Sequence, residues 1–551
     1  MESRSRLRPR PRQPITTAPD TAAFRSPVLI GALAAVFLGA VDLTIIATIL
    51  PRMIGDLGIN TADVDRYIWI VNGYLIAYIV AIPLIGRLSD IVGRVPVFAI
   101  SLLLFVVGAA VCALADSLTA IVVGRTLQGA GGGALLPAAL ALAADSVNER
   151  GRIGAVGVVT AVDTLGWVTG PLWGAAVVAL LPNVDEAWRW VFWLHLPFTA
   201  LCAWPLFAKR TQVHSFRSGP LKELDLIGAL LLAAILTSLN VALASGSELG
   251  SATDDGLRAL GGTPNPVAAY TVPLLAVAVV STIAFVVWQR RAESPLLPLR
   301  LFRLRSFTAG VVANFLLGAA LMVGMVNIPT VVALLVDPAD VSRTSALVLA
   351  PFTLCIAAGS LFAGRIARRI PPRLAAVAGV ALVAVGYAGA AVVMTPDTYQ
   401  RVVFGLVLAG TGFGIMLAPL SSSALAVAAS SERGAAASMA LVARLLGMTI
   451  GISLLTAIGV RRLQTLTDRV EPVTRGAGES TAAFLNRQRA YIEQYAVPLS
   501  VQVIQETFWI AAVIAVLALI PLWWVWDQRR SGAGSAERRP ANASASDWRS
   551  L

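Results

Sequence analysis

Lysine and histidine are almost missing from this chain. Of its 43 basic residues only Lys209 and Lys222 are lysines, and the only histidines are His195 and His214. Neither lysine sits in a glycine-rich loop or a pocket-like setting, which excludes a P-loop nucleotide site and a Schiff-base enzyme. ATP-driven transport by this chain alone goes with them. Two histidines cannot build a His-rich centre, so no metal, cofactor or enzyme activity is expected. Cys112, Cys202 and Cys355 all fall inside apolar runs and read as small buried hydrophobes, not as a disulfide framework. Charge is scarce too: 13% of residues are charged against 57% hydrophobic. The mean hydropathy of +0.76 lies beyond the range of soluble domains. The net charge of +12 is carried largely by terminal tails suited to anionic lipid headgroups, so it does not point to nucleic acid.

Long apolar runs are what the chain has in abundance. About 20 apolar residues cross a bilayer. Fourteen such stretches lie near residues 28–50, 67–85, 95–114, 119–144, 153–181, 188–208, 225–244, 267–288, 307–335, 345–364, 374–394, 401–427, 435–460 and 506–526. The expected fold class is therefore an all-α membrane protein. Basic residues gather in alternate connecting segments, which puts both termini on the cytoplasmic side. Residues 1–27 and 527–551 read as disordered cytoplasmic tails, the first without the apolar core of a signal peptide. Basic linkers at 209–222 and 290–305 divide the spans six, two and six. That gives a first bundle over 28–208, a linker with two inserted spans over 209–306, and a second bundle over 307–526. The second bundle carries a long extracytoplasmic segment, 461–505, with apolar residues at helical spacing. It suits either extensions of spans thirteen and fourteen or a surface hairpin. Trp188, Trp190, Trp193, Trp288, Trp509, Trp523, Trp524 and Trp526 lie near span ends, as an interfacial belt requires.

The segment GRLSDIVGR, residues 86–94, joins spans two and three. A connection this short has no room for a domain, so its charges serve the helices. Gly86 permits close backbone approach, Asp90 is placed to cap a helix N-terminus, and Arg87 and Arg94 hold the loop in the cytoplasm. The string resembles the loop signature of the major facilitator superfamily, G-x-L-[AS]-D-x-x-G-R, at nearly every position. The resemblance implies two six-helix bundles with a substrate path between them, and marks Gly86, Asp90, Gly93 and Arg94 as conformational-gating residues.

Four charges lie deep within the spans: Asp42, Arg125, Asp163 and Arg444. Each costs about 2.5–3.5 kcal/mol at the bilayer centre on insertion scales, tolerable when the group is paired or faces a polar interior. Two structural ion pairs would satisfy all four. At Asp42 desolvation favours the neutral acid and a nearby Arg favours the carboxylate, so its protonation can follow a conformational change. Its surroundings, LGAVDLTIIATILP, resemble the first-helix signature L-D-x-T-I-x-N-x-A-L-P of fourteen-helix drug:proton antiporters, with Ala47 in place of the usual Asn. Arg125, always protonated, can hold a carboxylate ionised, and is read as the electrostatic partner of Asp42. The run Arg125–Gly133 resembles the fourth-helix signature R-x-x-Q-G-x-G-x-[GA], which implies a part in proton coupling. Arg444 lies on a second-bundle helix, as a gating partner for Asp42 or Asp163, and Gly447 and Gly451 add a close-packing face.

In span five Gly166, Gly170 and Gly174 recur every four residues and Pro171 permits a bend. The run resembles the exporter motif G-x-x-x-G-P-x-x-G, which adds these four residues to the gating set. Asp163 is a second proton site or an Arg partner. The segment WRWVFWLHLP resembles W-R-W-x-F-x-x-N-x-P, with His195 where Asn is usual. It is either a titrating group or a buried neutral imidazole.

The stretches at 67–90, 417–425 and 440–451 are similar to mycobacterial fourteen-helix triacylglyceride exporters. The expected function is proton-coupled export of hydrophobic or amphipathic compounds from the bacterial cytoplasm, with multidrug efflux as the main reading. Lipid export is the alternative, and a non-transporting scaffold or sensor the second. Partners would be hydrophobic small molecules or lipids, protons and membrane lipids, with no nucleic acid. The protein would act as a monomer, with an extracytoplasmic acceptor protein as a further partner. Substrate-binding residues are unknown from sequence; Trp69, Tyr74 and Phe315 are the aromatic candidates.

Overall fold

The computed structural model describes residues 27–57, 69–145, 147, 151–181, 184–208, 225–246, 270–293, 295–297, 299–336, 341–427, 433–467, 470 and 480–525. The tails, the linker 209–222, Trp526 and the middle of the 461–505 segment lie outside these residues. The described chain is all helical. Its helices are α1 (Pro27–Asp56), α2 (Trp69–Val92), α3 (Arg94–Leu114), α4 (Leu118–Asp145), α5 (Arg152–Leu180) and α6 (Arg189–Ala208), then α7 (Leu226–Gly246) and α8 (Thr271–Arg291). There follow α9 (Arg305–Leu335), α10 (Val341–Arg369), α11 (Pro372–Val393), α12 (Val402–Val427), α13 (Arg433–Thr467), the short α14 (Thr481–Tyr491) and α15 (Val497–Val525). Among the described residues ten helices are long and apolar enough to cross a membrane. The halves of α5, Arg152–Trp167 and Leu172–Val178, meet at 44° and together make an eleventh. This is a multi-pass membrane fold.

The segment expected as a loop is helical almost throughout. α2 runs to Val92 and α3 begins at Arg94, so Gly93 alone forms the break. Its φ of 107° and ψ of 154° belong to a region open essentially to glycine. Asp90 lies within α2, three residues before this break. The side chains of Arg87, Asp90 and Arg94 lie outside the described residues.

Helices α1–α6 pack among themselves, as do α9–α13 with α15. The two groups meet through α5 on α10 and α12, and through α2 on α13. Ser438 Oγ donates to the Ile82 carbonyl at 2.9 Å, Gly157 rests on the Ser360 carbonyl, and Gly154 on Gly364. Glycine on both helices lets the α5 and α10 backbones nearly touch.

The pair α7–α8 packs on itself and, through α7, on α2 and α13. Asp225, just before α7, holds the pair together. Its carboxylate accepts from Gly228 N and Trp288 Nε1, each at 2.7 Å, Gln289 Nε2 at 2.5 Å and Leu296 N at 3.2 Å. Not every end-of-span tryptophan is an interfacial anchor. Trp190, Trp523 and Trp524 are exposed, but Trp188 is fully buried and donates to Asp56 at 2.9 Å. Beside it Arg189 bonds to Glu186, Asp116 and the carbonyls of Ala113 and Ala115, tying α6 to the α3–α4 turn.

At 35 residues and about 1.5 Å per residue, α13 is longer than the ~30 Å hydrocarbon core. Its last turns are joined to α15 by Arg462 and Glu506, 2.9 Å apart. Part of the 461–505 segment is thus helix continuing from α13.

Candidate functional site

Five helices of the first group converge on one buried cluster. The approach depends on glycine along α4. A β-carbon on Gly129 or Gly133 would overlap the α2 backbone at Tyr74 or Tyr78, and one on Gly131 would overlap α3 at Phe105. Bare backbone on two faces lets α4 lie tight between α2 and α3, which carries Arg125 inward. From the other side, Gly166 and Gly170 of α5 seat on α1 at Ala40, Val41 and Thr44. Thr44 Oγ1 returns a hydrogen bond to the Trp167 carbonyl at 3.1 Å. This seat lies directly beside Asp42. Gly174 is buried, and the Pro171 side chain lies outside the described residues.

Arg125 Nη1 lies 3.0 Å from Asp42 Oδ1 and 2.9 Å from Oδ2, and Nη2 donates to the Asp42 carbonyl at 3.3 Å. Gln128, one turn along α4, donates to Asp42 Oδ1 at 3.2 Å and accepts from Arg125 at 3.1 Å. Cys112 Sγ on α3 also points to Gln128 Oε1, at 3.5 Å. The Tyr74 ring lies 4.0 Å from the guanidinium carbon, and its hydroxyl donates to the Gly39 carbonyl at 3.4 Å. His195 Nε2 on α6 is 3.7 Å from Asp42 Oδ1. Asp42, Arg125 and Gln128 have no solvent exposure at all. A buried ion pair with every carboxylate oxygen bonded can persist in a low-dielectric interior, whereas either partner alone cannot.

A second group lies where the two sets of helices meet. Asp163 on α5, Tyr78 on α2 and Arg444 on α13 are all buried and interact electrostatically. Among the described residues no contact of ion-pair length joins Arg444 to an acid. Its Nε is buried without a hydrogen-bond partner, and the side chain lines a small cavity with Asn314 and Ser421. Arg444 is thus set toward Asp163 and not toward Asp42, which Arg125 already occupies. Gly447 and Gly451 seat α13 on α9 at Phe315 and Ala319.

The four charges, His195 and Tyr74 stood out in the sequence, but Gln128, Cys112 and Asp225 did not. Gln128 stood in a motif without a role, although its i+3 spacing from Arg125 puts both on one helix face. Cys112 read as inert, and Asp225 lay at a span end where acids are ordinary. Tyr74, a candidate for substrate contact, is instead buried against Arg125, while Phe315 is half-buried and Trp69 partly exposed. The cluster contains no grouping of His, Cys, Asp and Glu fit for a metal among the described residues.

Comparison with known proteins agrees with this architecture. The chain is 32% identical over 506 residues to a probable triacylglyceride transporter of Mycobacterium leprae, covering 88% of this chain and 93% of that one. It is 33% identical over 506 residues to a triacylglyceride transporter of Mycobacterium tuberculosis, covering 88% and 92%. Among solved structures, a double-tryptophan mutant of the xylose transporter XylE superposes with a TM-score of 0.58 at 14% identity, covering 92% and 96%. The human organic anion transporter MFSD10 gives 0.55 at 16%, covering 90% and 99%. At these identities the likeness speaks for the fold alone. The pattern of the Major Facilitator Superfamily matches residues 32–452. The chain therefore belongs to the major facilitator superfamily, as a membrane transport protein and not an enzyme.

Proposed function

We propose that this protein exports hydrophobic, lipid-like molecules across the bacterial cytoplasmic membrane in exchange for protons. The observation that carries the cargo is the similarity to triacylglyceride transporters over 88% of the chain. It favours lipid over drugs, the reverse of the order suggested by the signatures alone. Proton coupling rests on Asp42 and Arg125, a buried acid–base pair in a span, where an ionisable group is costly unless it functions. Protonation of Asp42 neutralises one partner and frees the guanidinium to find another, which links proton binding to helix movement.

In this reading α1–α6 and α9–α13 with α15 are two six-helix halves, and α7–α8 are inserted spans, fourteen in all. Both termini face the cytoplasm, and so does the end where Ser438 meets Ile82. The arrangement is then outward-facing, closed by the glycine contacts of α5 on α10. Asp163 and Arg444 form the charged layer behind that closure, pairing and separating as the halves rock. Gly86, Asp90, Gly93, Arg94, Gly166, Gly170, Pro171 and Gly174 act in gating. The protein works as a monomer without a cofactor, and an extracytoplasmic acceptor takes the released lipid. Multidrug efflux is the second reading, favoured by the drug:proton antiporter signatures around Asp42 and His195.

The test uses purified protein in proteoliposomes with an inward-directed proton gradient. Efflux of a labelled triacylglyceride and of a fluorescent cationic dye is followed for wild type and Asp42→Asn. Gradient-dependent lipid movement lost in the mutant is the expected result. Dye movement alone would make drug efflux the function. Equal behaviour of mutant and wild type would remove Asp42 from coupling.

A further inference from the structure

His195 is the member of the buried cluster whose side chain makes no hydrogen bond at all; in Arg125 only Nε lacks a partner. Neither ring nitrogen makes a hydrogen bond of good geometry, although the residue is 2% exposed. Buried polar atoms without partners are rare, and each calls for an explanation. The ring is held edge-on to Phe105, with centroids 5.6 Å apart, and tilted against Phe192 at 6.4 Å. These apolar walls fix its orientation, and the Val191 carbonyl lies one turn earlier on α6 without a hydrogen bond to either ring nitrogen. The acid that faces it is Asp42, whose Oδ1 lies 3.7 Å from Nε2. A shift of less than ~1 Å between α1 and α6 would bring the two to charge-assisted hydrogen-bond distance. The other titratable or charged groups around the site are Arg125 on α4, Cys112 on α3 and Tyr74 on α2. Arg125 and Gln128 already bond to Oδ1, and Arg125 alone to Oδ2, so a proton on the oxygen that faces His195 must displace a donor or move on.

We propose that His195 is a second proton-carrying residue of this site, exchanging a proton between its Nε2 and the Asp42 carboxylate as α1 and α6 move. The inference rests on the coupling role given above to Asp42. In the forward step the Asp42 O–H bond breaks and the Nε2–H bond forms. A neutral acid and neutral imidazole become a carboxylate and an imidazolium, so the net charge of the buried site is unchanged. Arg125 can then re-form its pair with Asp42 while the proton is still held on the protein. The signature that this segment resembles has Asn at the position, which cannot carry a proton. This chain thereby gains a storage site that an Asn-bearing relative lacks.

The test exploits the near absence of histidine. Full-length protein with ring-labelled histidine is placed in lipid nanodiscs, and imidazole NMR signals are followed from about pH 5 to 8, where imidazole normally titrates. His214→Asn leaves His195 as the only source of signal. The expected result is a titrating His195 signal whose midpoint differs between the wild-type site and Asp42→Asn. In proteoliposomes carrying labelled triacylglyceride, His195→Asn is expected to slow gradient-driven efflux and to lose the part of the pH dependence that follows the imidazole. A His195 signal that is constant over this range, or identical with and without Asp42, overturns the proposal. So does an unchanged pH profile in His195→Asn. If Asp42→Asn abolishes efflux while His195 stays silent, this inference falls and the coupling reading stands. If Asp42→Asn transports like wild type, it is the coupling reading that fails.

Discussion

Arg125 reaches both carboxylate oxygens of Asp42 through a single nitrogen, at 3.0 and 2.9 Å, with neither residue exposed to solvent. Such a pair is costly to break from one side. Removing one partner of a buried pair costs about 3–5 kcal/mol because the other charge is left uncompensated. Arg125→Ala is therefore expected to lower the thermal unfolding temperature markedly in detergent. The double variant Asp42→Asn, Arg125→Gln should regain much of that stability yet remain unable to use a proton gradient. A double variant as unstable as Arg125→Ala would mean that Arg125 acts by its stacking on Tyr74 and not by its charge.

The seat of α5 on α1 gives a second expectation. Gly170 lies against Thr44 Oγ1 and the Val41 carbonyl, and an added β-carbon has nowhere to go. Gly170→Val should cost about 1–3 kcal/mol through overpacking and push α5 away from the Asp42 turn. Thr44→Ala in the same chain removes one of the two obstructing atoms and should restore part of both stability and transport. Unfolding temperature and proteoliposome efflux, measured side by side, report the two effects.

Asp225 is expected to be structural. Its carboxylate accepts four hydrogen bonds that join the start of α7 to the end of α8 and the chain beyond. Asp225→Ala leaves those buried donors unpaired, at about 1–3 kcal/mol for an unsatisfied group. The loss should appear as faster proteolysis within α7–α8, with the α1–α6 core still protected. Uniform proteolysis along the chain would show instead that the inserted pair and the core unfold together.

How much of this was legible beforehand depended on the kind of signal. Spans are legible because 20 apolar residues in succession are improbable outside a membrane. The α2–α3 connection was found from its charges, but its shape was not. A single glycine at positive φ makes the turn, and the sequence offers Gly86 and Gly93 alike. Asp42 and Arg125 stood out by the cost of placing them in a span. Their pairing was expected from the chemistry of an Arg and an acid in neighbouring spans, although 83 residues separate them and nothing local specifies the partner. His195 read as either a titrating group or a buried neutral imidazole. Only the packing of α6 against α1 and α3 sets it beside Asp42.

Outside the spans, pH should act through Glu186. Arg189 holds this carboxyl below the usual glutamate range by hydrogen bonding. A lowered folded-state value stabilises the fold above the unfolded value and ceases to do so as pH falls through the folded one. Glu186→Gln should thus be slightly less stable than wild type at pH 7, by no more than about 1 kcal/mol for so exposed a pair. The difference should vanish in acid. A gap that persists or widens at low pH would assign the stabilisation to packing around Arg189.

The contacts between the two sets of helices supply the last prediction. Gly364 rests on Gly154, and Ser438 binds Ile82; in the outward-facing arrangement proposed above, these α5–α10 and α2–α13 contacts close the cytoplasmic mouth. Behind them Arg444, Asn314 and Ser421 line the small cavity. Gly364→Leu introduces a side chain where the α5 backbone already sits, which should wedge this mouth open and favour the opposite-facing state. In a background with Cys112, Cys202 and Cys355 replaced, Ser421→Cys reports the change through a membrane-impermeant thiol reagent. In inside-out vesicles, which present the cytoplasmic face, labelling should be slow when Gly364 is kept and several-fold faster in the Gly364→Leu variant. Fast labelling in both would mean that the glycine contact is not the barrier. Slow labelling in both, with transport intact, would mean that the two helices separate elsewhere along α5, at its 44° bend.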